Sequence, residues 1–504
     1  MEKQMTSRRT KSNEMVQPLT STQSWNSIDW KKAKKEVRRL QMRIAKSVQE
    51  GKYGKVKSLQ WILTHSFYAK ALAVKRVTSN KGKKTPGVDG VVWKSAKDKW
   101  QAILSLRQHD YKALPLRRIY IPKKNGKKRP LSIPTMRDRA MQALYKLGLA
   151  PVAETTADRN SYGFRELRSC ADAIAAGFNA LSKPNSATWV YQADITGCFD
   201  NILKSWLLAN IPMEKRILKQ WLDAGYIENG LSYPTRKGTP QGGIISPMLA
   251  NMALDGLEQA ILDAVPRRHR VNFGRYADDL FVTAKSKMII ERYIIPACIK
   301  FLAVRGLEVS EEKSKITHIK DGFTFLGQTF RKRGNKLHIT PSKEGVLSLI
   351  RRVGTLIRKH TNAPVITLIK KLNEVLRGWA NYHRHVVSSE AFKRVDHYVY
   401  DQLWRMIKRK HPNKSKKWLT KKYWLAFGKK WLFSVSYNTK KKKKRIMHVI
   451  RVSSIGIKRH RKIKADANPY LAEFGSYFYQ RRHNKDARLL LGLTSRQTRL
   501  ALQQ

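Results

Sequence analysis

The chain of 504 residues is poor in cysteine: Cys170, Cys198 and Cys298 are all it has. Their spacing makes neither a disulfide framework nor a thiolate metal site, so a reducing compartment is expected. All three precede residue 300, which excludes a cysteine-based zinc site from the C-terminal part. Acid is scarce as well. Asp and Glu number 36 against 102 Lys and Arg, a formal net charge of +66. Such self-repulsion works against a compact state unless a polyanion neutralises it, which points to nucleic acid as the partner and to salt-sensitive binding. An anionic membrane would attract the same charge. However, no long uninterrupted apolar helix and no lipidation signal occurs, and no membrane partner is expected. The opening "MEKQMTSRRTKSNEMVQPLTSTQS" lacks an apolar export core and reads as a flexible tail, with a basic organelle address as the alternative.

A hydrophobic content of 41% is enough for a large core, and the length suggests several domains. From Trp30 to about Arg76, apolar residues recur every three to four positions with Lys and Arg between them, predicting a basic helical element broken near Gly51 to Gly54. "NKGKKTPGVDG" (80–90) reads as a loop. "LRRIYIPKKNGKKRPLSIP" (116–134) predicts a hairpin with "KKNGKK" at its tip. "WVYQADITGCFDNI" (189–202) predicts a strand entering a turn, and "KGTPQGGIISPMLANMALDGLEQAILD" (237–263) a Gly/Pro loop feeding one long helix. More short strands are expected over "GLEVSEEKSKITHI" and "GFTFLGQTFRKRGNKLHIT". Helical periodicity dominates from about Pro341 to Lys410. Beyond 412 a lysine run is interleaved with Trp418, Trp424, Trp431, Phe433 and Tyr437, aromatics that can build a small core or stack on bases.

The chemistry concentrates in "NFGRYADDLFVTA" (272–284). Asp278 and Asp279 interrupt an apolar, β-prone run, which predicts a strand–turn–strand with the acids at the tip. Neighbouring strand residues point to opposite faces, so the two acids need not share a role. An acidic surface turn would give the same local pattern. Asp194, closing the β-prone "TWVYQAD", supplies a second acid site. Carboxylates from two neighbouring strands can hold a two-metal centre for phosphoryl transfer.

In family order, these segments resemble group II intron reverse transcriptase/maturases. The match includes "IPKKNGKKRPLSIP", "RNSYGFR", "DITGCFDNI", "TPQGGIISPMLANMALD", "YADD", "FTFLG" and "LRGWANYHR", across roughly residues 30 to 480. The resemblance implies an α+β right-hand polymerase with fingers and an antiparallel palm sheet. An α-helical thumb/maturase domain and a small basic DNA-binding region would follow. The implied segments are a flexible tail (1–28), a helical extension of the fingers (29–90), fingers and palm (91–340), thumb (341–411) and the basic region (412–504).

It further implies that Asp194 and Asp278, with Ile195, hold two Mg²⁺ ions while Asp279 supports the site. Phe199 stands where the family places a flat ring that would clash with a ribose 2′-hydroxyl, or it is an ordinary core residue. Lys123 and Arg129 would grip the incoming triphosphate, and Gln241 would contact the nucleotide sugar and templating pair. Gly242 and Gly243 would let backbone approach the duplex, or form a plain flexible loop. Lys313 would be a general acid for the leaving pyrophosphate, or a salt-bridged surface lysine with Lys315 competing. Arg377 would contact RNA, and Lys440, Lys441, Lys442, Lys443, Lys444 and Arg445 would contact phosphates rather than read sequence.

The expected activity is RNA-directed DNA synthesis plus assistance to splicing of the intron's own RNA. The expected partners are that RNA, target DNA, the RNA–DNA heteroduplex and dNTPs, in a bacterial cytoplasm at the nucleoid rather than in an organelle. A C-terminal HNH endonuclease is expected to be absent, since no cysteine follows Cys298. A splicing-only maturase and a domesticated defence or retron-type reverse transcriptase are the alternatives. The intact acid set and Phe199 speak against the first, and the continuous thumb and basic tail against the second.

Overall fold

The computed structural model describes residues 24–122, 126, 128–235, 237–428, 430–438 and 444–483. Lys123, Lys440, Lys441, Lys442 and Lys443 lie outside the described residues, as does most of the expected N-terminal tail. The chain divides into two compact units. One contains residues up to Val152 together with Pro212–Arg236 and Pro240–Ile245; the other contains Ala153–Ile211, Lys237–Thr239 and everything from Ser246.

The first unit begins with helices Trp30–Gln49, Tyr53–His65 and Phe67–Ser79. Asp29 caps the first, its carboxylate accepting from the N–H groups of Lys31 (2.8 Å) and Lys32 (3.0 Å). Ala33, Val37, Leu40, Ile44 and Val48 form its buried stripe, the pattern that predicted it. Besides the expected break after Gln49 there is a second at Ser66, whose extended backbone (ψ 130°) stops the helical run. The predicted hairpin forms from Leu116–Pro122 and Lys128–Ile133, with Pro122 opposite Lys128. Two short strands, Tyr226–Glu228 and Leu231–Tyr233, extend it to a four-stranded sheet, the first running parallel to Leu116–Pro122. Three-residue strands carry too little periodicity to be seen in sequence.

The second unit is built on a four-stranded antiparallel sheet ordered Asn272–Tyr276, Asp279–Ala284, Trp189–Asp194, Lys315–His318. Alternation sends its side chains to two cores. Tyr191, Ala193, Phe273, Leu280 and Val282 pack with Leu257, Ile261, Ile290 and Cys298. Val190 and Phe281 pack with Ile174, Phe323, Phe325 and Phe330, the last three from the neighbouring sheet Phe323–Phe325, Gln328–Arg333, Lys336–Pro341. The single long helix expected after the loop within 237–263 is instead two, Ser246–Leu254 and Leu257–Ala264. The break is at Gly256, whose φ of 94° no helix accommodates and whose N–H donates to Asp158 Oδ1 at 2.8 Å.

Helices Lys343–Lys359, Val365–His383 and Ser389–Lys410 follow, sharing a core through Val353, Ile369, Leu372, Leu376, Val395 and Leu403. The tail aromatics extend that core. Helix Lys416–Tyr423 leads into a three-stranded sheet, Trp424–Phe427, Lys430–Asn438, Lys444–His448, which buries Trp424 and Phe433.

The described tail continues past that sheet. Beyond Ile455 it returns to the segment before and at the start of helix Cys170–Leu181. Buried Asp172 accepts from His460 Nε2 (2.8 Å), Arg481 Nη2 (2.9 Å) and the Ile463 N–H (2.8 Å). Burial alone would raise its pKa, but the bonds from His460, Ser169 and the Ile463 N–H overcome it and hold the carboxyl at about 2. Arg168 donates to the carbonyls of Ala465 and Ala467, and Tyr470 Oη donates to Glu166.

Candidate active site

Two strands bring the acids together. Asp194 ends Trp189–Asp194, Asp279 begins Asp279–Ala284, and the two are direct cross-strand partners. Tyr276 pairs with Asp279 on the other side, leaving Ala277 and Asp278 as a two-residue hairpin loop. The predicted acidic tip is therefore correct in outline, with Asp278 in the turn and Asp279 in the strand. Burial first, then the charges of Asp194 and Asp278, push the Asp279 carboxyl up to about 7.

Lys313 Nζ donates to Asp194 Oδ2. That bond is also the main reason its ammonium is held above the ordinary lysine range. Lys315 instead lies in the strand opposite Gln192. Ile195 is buried and bridges to Val309. Cys198, beside the acids, has its thiol pushed up to about 12 by burial and by Asp278, leaving it inert.

The turn is held by residues the sequence reading did not single out. Ala277 adopts φ 58°, a left-handed conformation unfavourable to a residue with a Cβ. Fully buried Arg275 donates to the carbonyl of Ala277 (3.4 Å), to Asn251 Oδ1 (3.2 Å) and to Asp255 Oδ1 (2.6 Å), and stands 3.8 Å from Asp158. Burial pushes the Asp255 carboxyl up to about 7 even against the attraction of Arg275. Asn251 in turn donates to the Gly163 carbonyl at 2.6 Å. A Cβ on Gly163 would stand 2.3 Å from the Ala277 nitrogen, so only glycine lets "RNSYGFR" back the turn this closely. An arginine inside the apolar run "NFGRY" was the available signal, because a buried guanidinium needs partners.

Phe199 lies in the short helix Cys198–Asn201, half-buried, with its ring 6.4 Å from Phe164 at 76°. Thr239 N–H donates to the Phe199 carbonyl (2.6 Å) and Gly238 N–H to that of Ile202 (2.9 Å), so the "GT" of "KGTPQGG" clamps this helix. In the first unit, Arg129 is exposed and pairs with Ile121 in the hairpin. Gln241 accepts from the Ser132 N–H at 2.7 Å. Gly242, at φ 123°, would place a Cβ 2.4 Å from the Ser132 carbonyl oxygen. Its lack of a side chain therefore serves contact with the hairpin. Gly243 is buried. Arg377 is exposed on helix Val365–His383, and Lys444 and Arg445 are exposed on the strand they begin.

Among the described residues, no group of three or more His, Cys, Asp or Glu forms a ready-made metal cage. The donor set is nevertheless suited to Mg²⁺, which takes one or two carboxylates and completes its shell with water and substrate phosphate. The raised Asp279 carboxyl and the lysine on Asp194 both mark a place where positive charge is wanted.

Residues 25–106 match the N-terminal domain of reverse transcriptase, 121–330 match reverse transcriptase (RNA-dependent DNA polymerase), and 346–424 match the group II intron maturase-specific domain. Protein YkfC of Escherichia coli is 32% identical over 306 residues, 52% of this chain and 80% of that one. The chain belongs to the group II intron reverse transcriptase/maturase family. The group II intron-encoded protein LtrA of Lactococcus lactis subsp. cremoris is 30% identical over 366 residues, 59% of each chain, so this chain spans under two thirds of that relative. The 91 kDa protein in the cob intron of Schizosaccharomyces pombe is 26% identical over 64% of this chain and 50% of that one. Membership carries the enzyme class, RNA-directed DNA polymerase, and the three matched segments fall in the order the sequence motifs predicted.

Proposed function

We propose that this reverse transcriptase/maturase copies its intron RNA into DNA at the Asp194–Asp278–Asp279 site and assists splicing through a separate RNA-binding surface. The observation that carries the first half is the direct pairing of Asp194 with Asp279, with Asp278 in the turn between strands. Asp194 and Asp278, with Ile195 beside them, would hold two Mg²⁺ ions. When bound, these would lower the pKa of the primer 3′-hydroxyl and neutralise charge at the leaving oxygen.

The protein's own residues position the reactants. Asp279 supports the carboxylate pair, and Arg275 fixes the turn. The half-buried ring of Phe199 would exclude a 2′-hydroxyl and so select dNTPs. Lys313, kept protonated by Asp194, would give a proton to departing pyrophosphate. Lys123 and Arg129 would hold the triphosphate, and Gln241 the nucleotide sugar.

In this reading the hairpin unit is the fingers and the sheet with the acids is the palm. The three helices between Lys343 and Lys410 are the thumb/maturase region, and Lys440 to Arg445 bind phosphates of target DNA. Intron RNA, target DNA, the heteroduplex and dNTPs are the partners, and the bacterial nucleoid is the place of action. Purified protein should extend a DNA primer on an RNA template with dNTPs and Mg²⁺. Intron RNA bound without any such extension would instead favour a splicing-only maturase.

A further inference from the structure

Helix Ser389–Lys410 and the tail sheet enclose a cleft of about 360 Å³, within the range of small-ligand sites. Lys393, His397 and Tyr400 line it from one helix face, Trp424 and Trp431 from the sheet, and Arg451 from the segment beyond. Its floor is aromatic. Trp424 lies 4.9 Å from Tyr400 and is stacked at 16° on Trp404, 5.6 Å away.

Three features distinguish this cleft from ordinary core. Trp431 is 58% exposed and Tyr400 46%, so aromatic faces stand open to water. Trp431 is opposite Ala426, whose small side chain leaves the larger ring without a cross-strand cover. The indole N–H groups of Trp404 and Trp424 are buried with no acceptor among the described residues. The charge around it is cationic. Asp396, the acid in the lining, is spent on the N–H groups of Val452 (2.6 Å) and Ser453 (2.9 Å). Among the described residues Lys393 makes an exposed pair with Glu390, and at Arg451 it is the backbone carbonyl, not the guanidinium, that takes the bond from Ser454 Oγ.

We propose that this cleft captures one unpaired base of an RNA strand, stacked on Trp431, with an adjoining phosphate on Lys393 and Arg451. Stacking on an aromatic with a flanking cation is how unstacked bases are held. RNA is favoured because Lys393 to Leu403 and Trp424 fall within the segment matching the maturase-specific domain. The proposal rests on the reading that the chain binds intron RNA and adds the chemistry of one contact.

The test uses the full chain and an RNA hairpin bearing a single-nucleotide bulge of 2-aminopurine, with the unbulged hairpin and a bulged DNA hairpin as controls. Binding should quench the bulge fluorescence. Trp431→Ala should weaken binding of the bulged RNA about five- to hundredfold, leaving the unbulged hairpin and primer extension unchanged. Trp431→Phe should restore most of the affinity, and Arg451→Ala should lower the salt dependence. Equal affinities of wild type and Trp431→Ala for the bulged RNA, or equal capture of the DNA bulge, would overturn the proposal while RNA binding itself persists. Absence of binding to either RNA would instead remove the wider reading on which it rests.

Discussion

Asp279 is the residue at which sequence, structure and chemistry meet most tightly. In the absence of a cation its carboxyl is raised to about 7, from an ordinary 3.8. A raised acid favours the protonated folded form, so the cost of ionising it grows as pH rises between those values and is fully present above about 7. A divalent cation at the carboxylates should offset that cost. Mg²⁺ should therefore raise the melting temperature more at about pH 8 than at about pH 5.5, and Asp279→Asn should flatten the difference. Equal Mg²⁺ effects at both pH values would count against a cation site here. Arg275 makes a second residue-scale prediction. Arg275→Ala leaves Asp255 and Asp158 facing each other in the interior. It should lower stability by about 3–5 kcal/mol, read by denaturant unfolding, with Arg275→Lys recovering part.

The decisive element is the hairpin Asn272–Tyr276 and Asp279–Ala284 with its two-residue loop. Its turn combines a non-glycine residue at positive φ with close backing from Gly163, so it depends on packing from outside the hairpin. Gly163→Ala should displace the turn and cut primer extension by at least about tenfold, since a sub-ångström misplacement at a phosphoryl-transfer site is costly. Intron RNA binding should be retained, and unchanged extension rates would show that the turn tolerates the shift. The hairpin's place, both acid-bearing strands and the helices from 343 to 410 were legible because strong periodicity or a β-prone run ending in acid marks them. The short strands 226–228 and 231–233, the break at Gly256 and the Arg275 network were not. Three residues carry no period, and a glycine's φ or a buried ion pair is decided by distant segments such as Asp158 and Asn251. In the tail, the aromatics signalled a core but not the sheet that displays Trp431, nor the return of 458–483 onto Asp172.

At the scale of the whole molecule, 102 cationic side chains against 36 anionic ones make electrostatics the dominant long-range term. A protein neutralising 6–10 phosphates loses about 10³–10⁵ in affinity between about 50 and 200 mM salt, and intron RNA binding should fall within that range by filter binding. A weak salt dependence would place the affinity in shape and stacking instead. The same scale separates two jobs. Chemistry needs a few carboxylates at one turn, whereas RNA binding needs extended basic surface, so one can be removed without the other. The most direct test is Asp278→Ala assayed for both. The account predicts that extension of a DNA primer on an RNA template drops about a thousandfold or more, while intron RNA is bound as tightly as by the wild type. Normal extension by Asp278→Ala would contradict the assignment of the catalytic site, and loss of RNA binding in the folded variant would contradict the separation of the two functions.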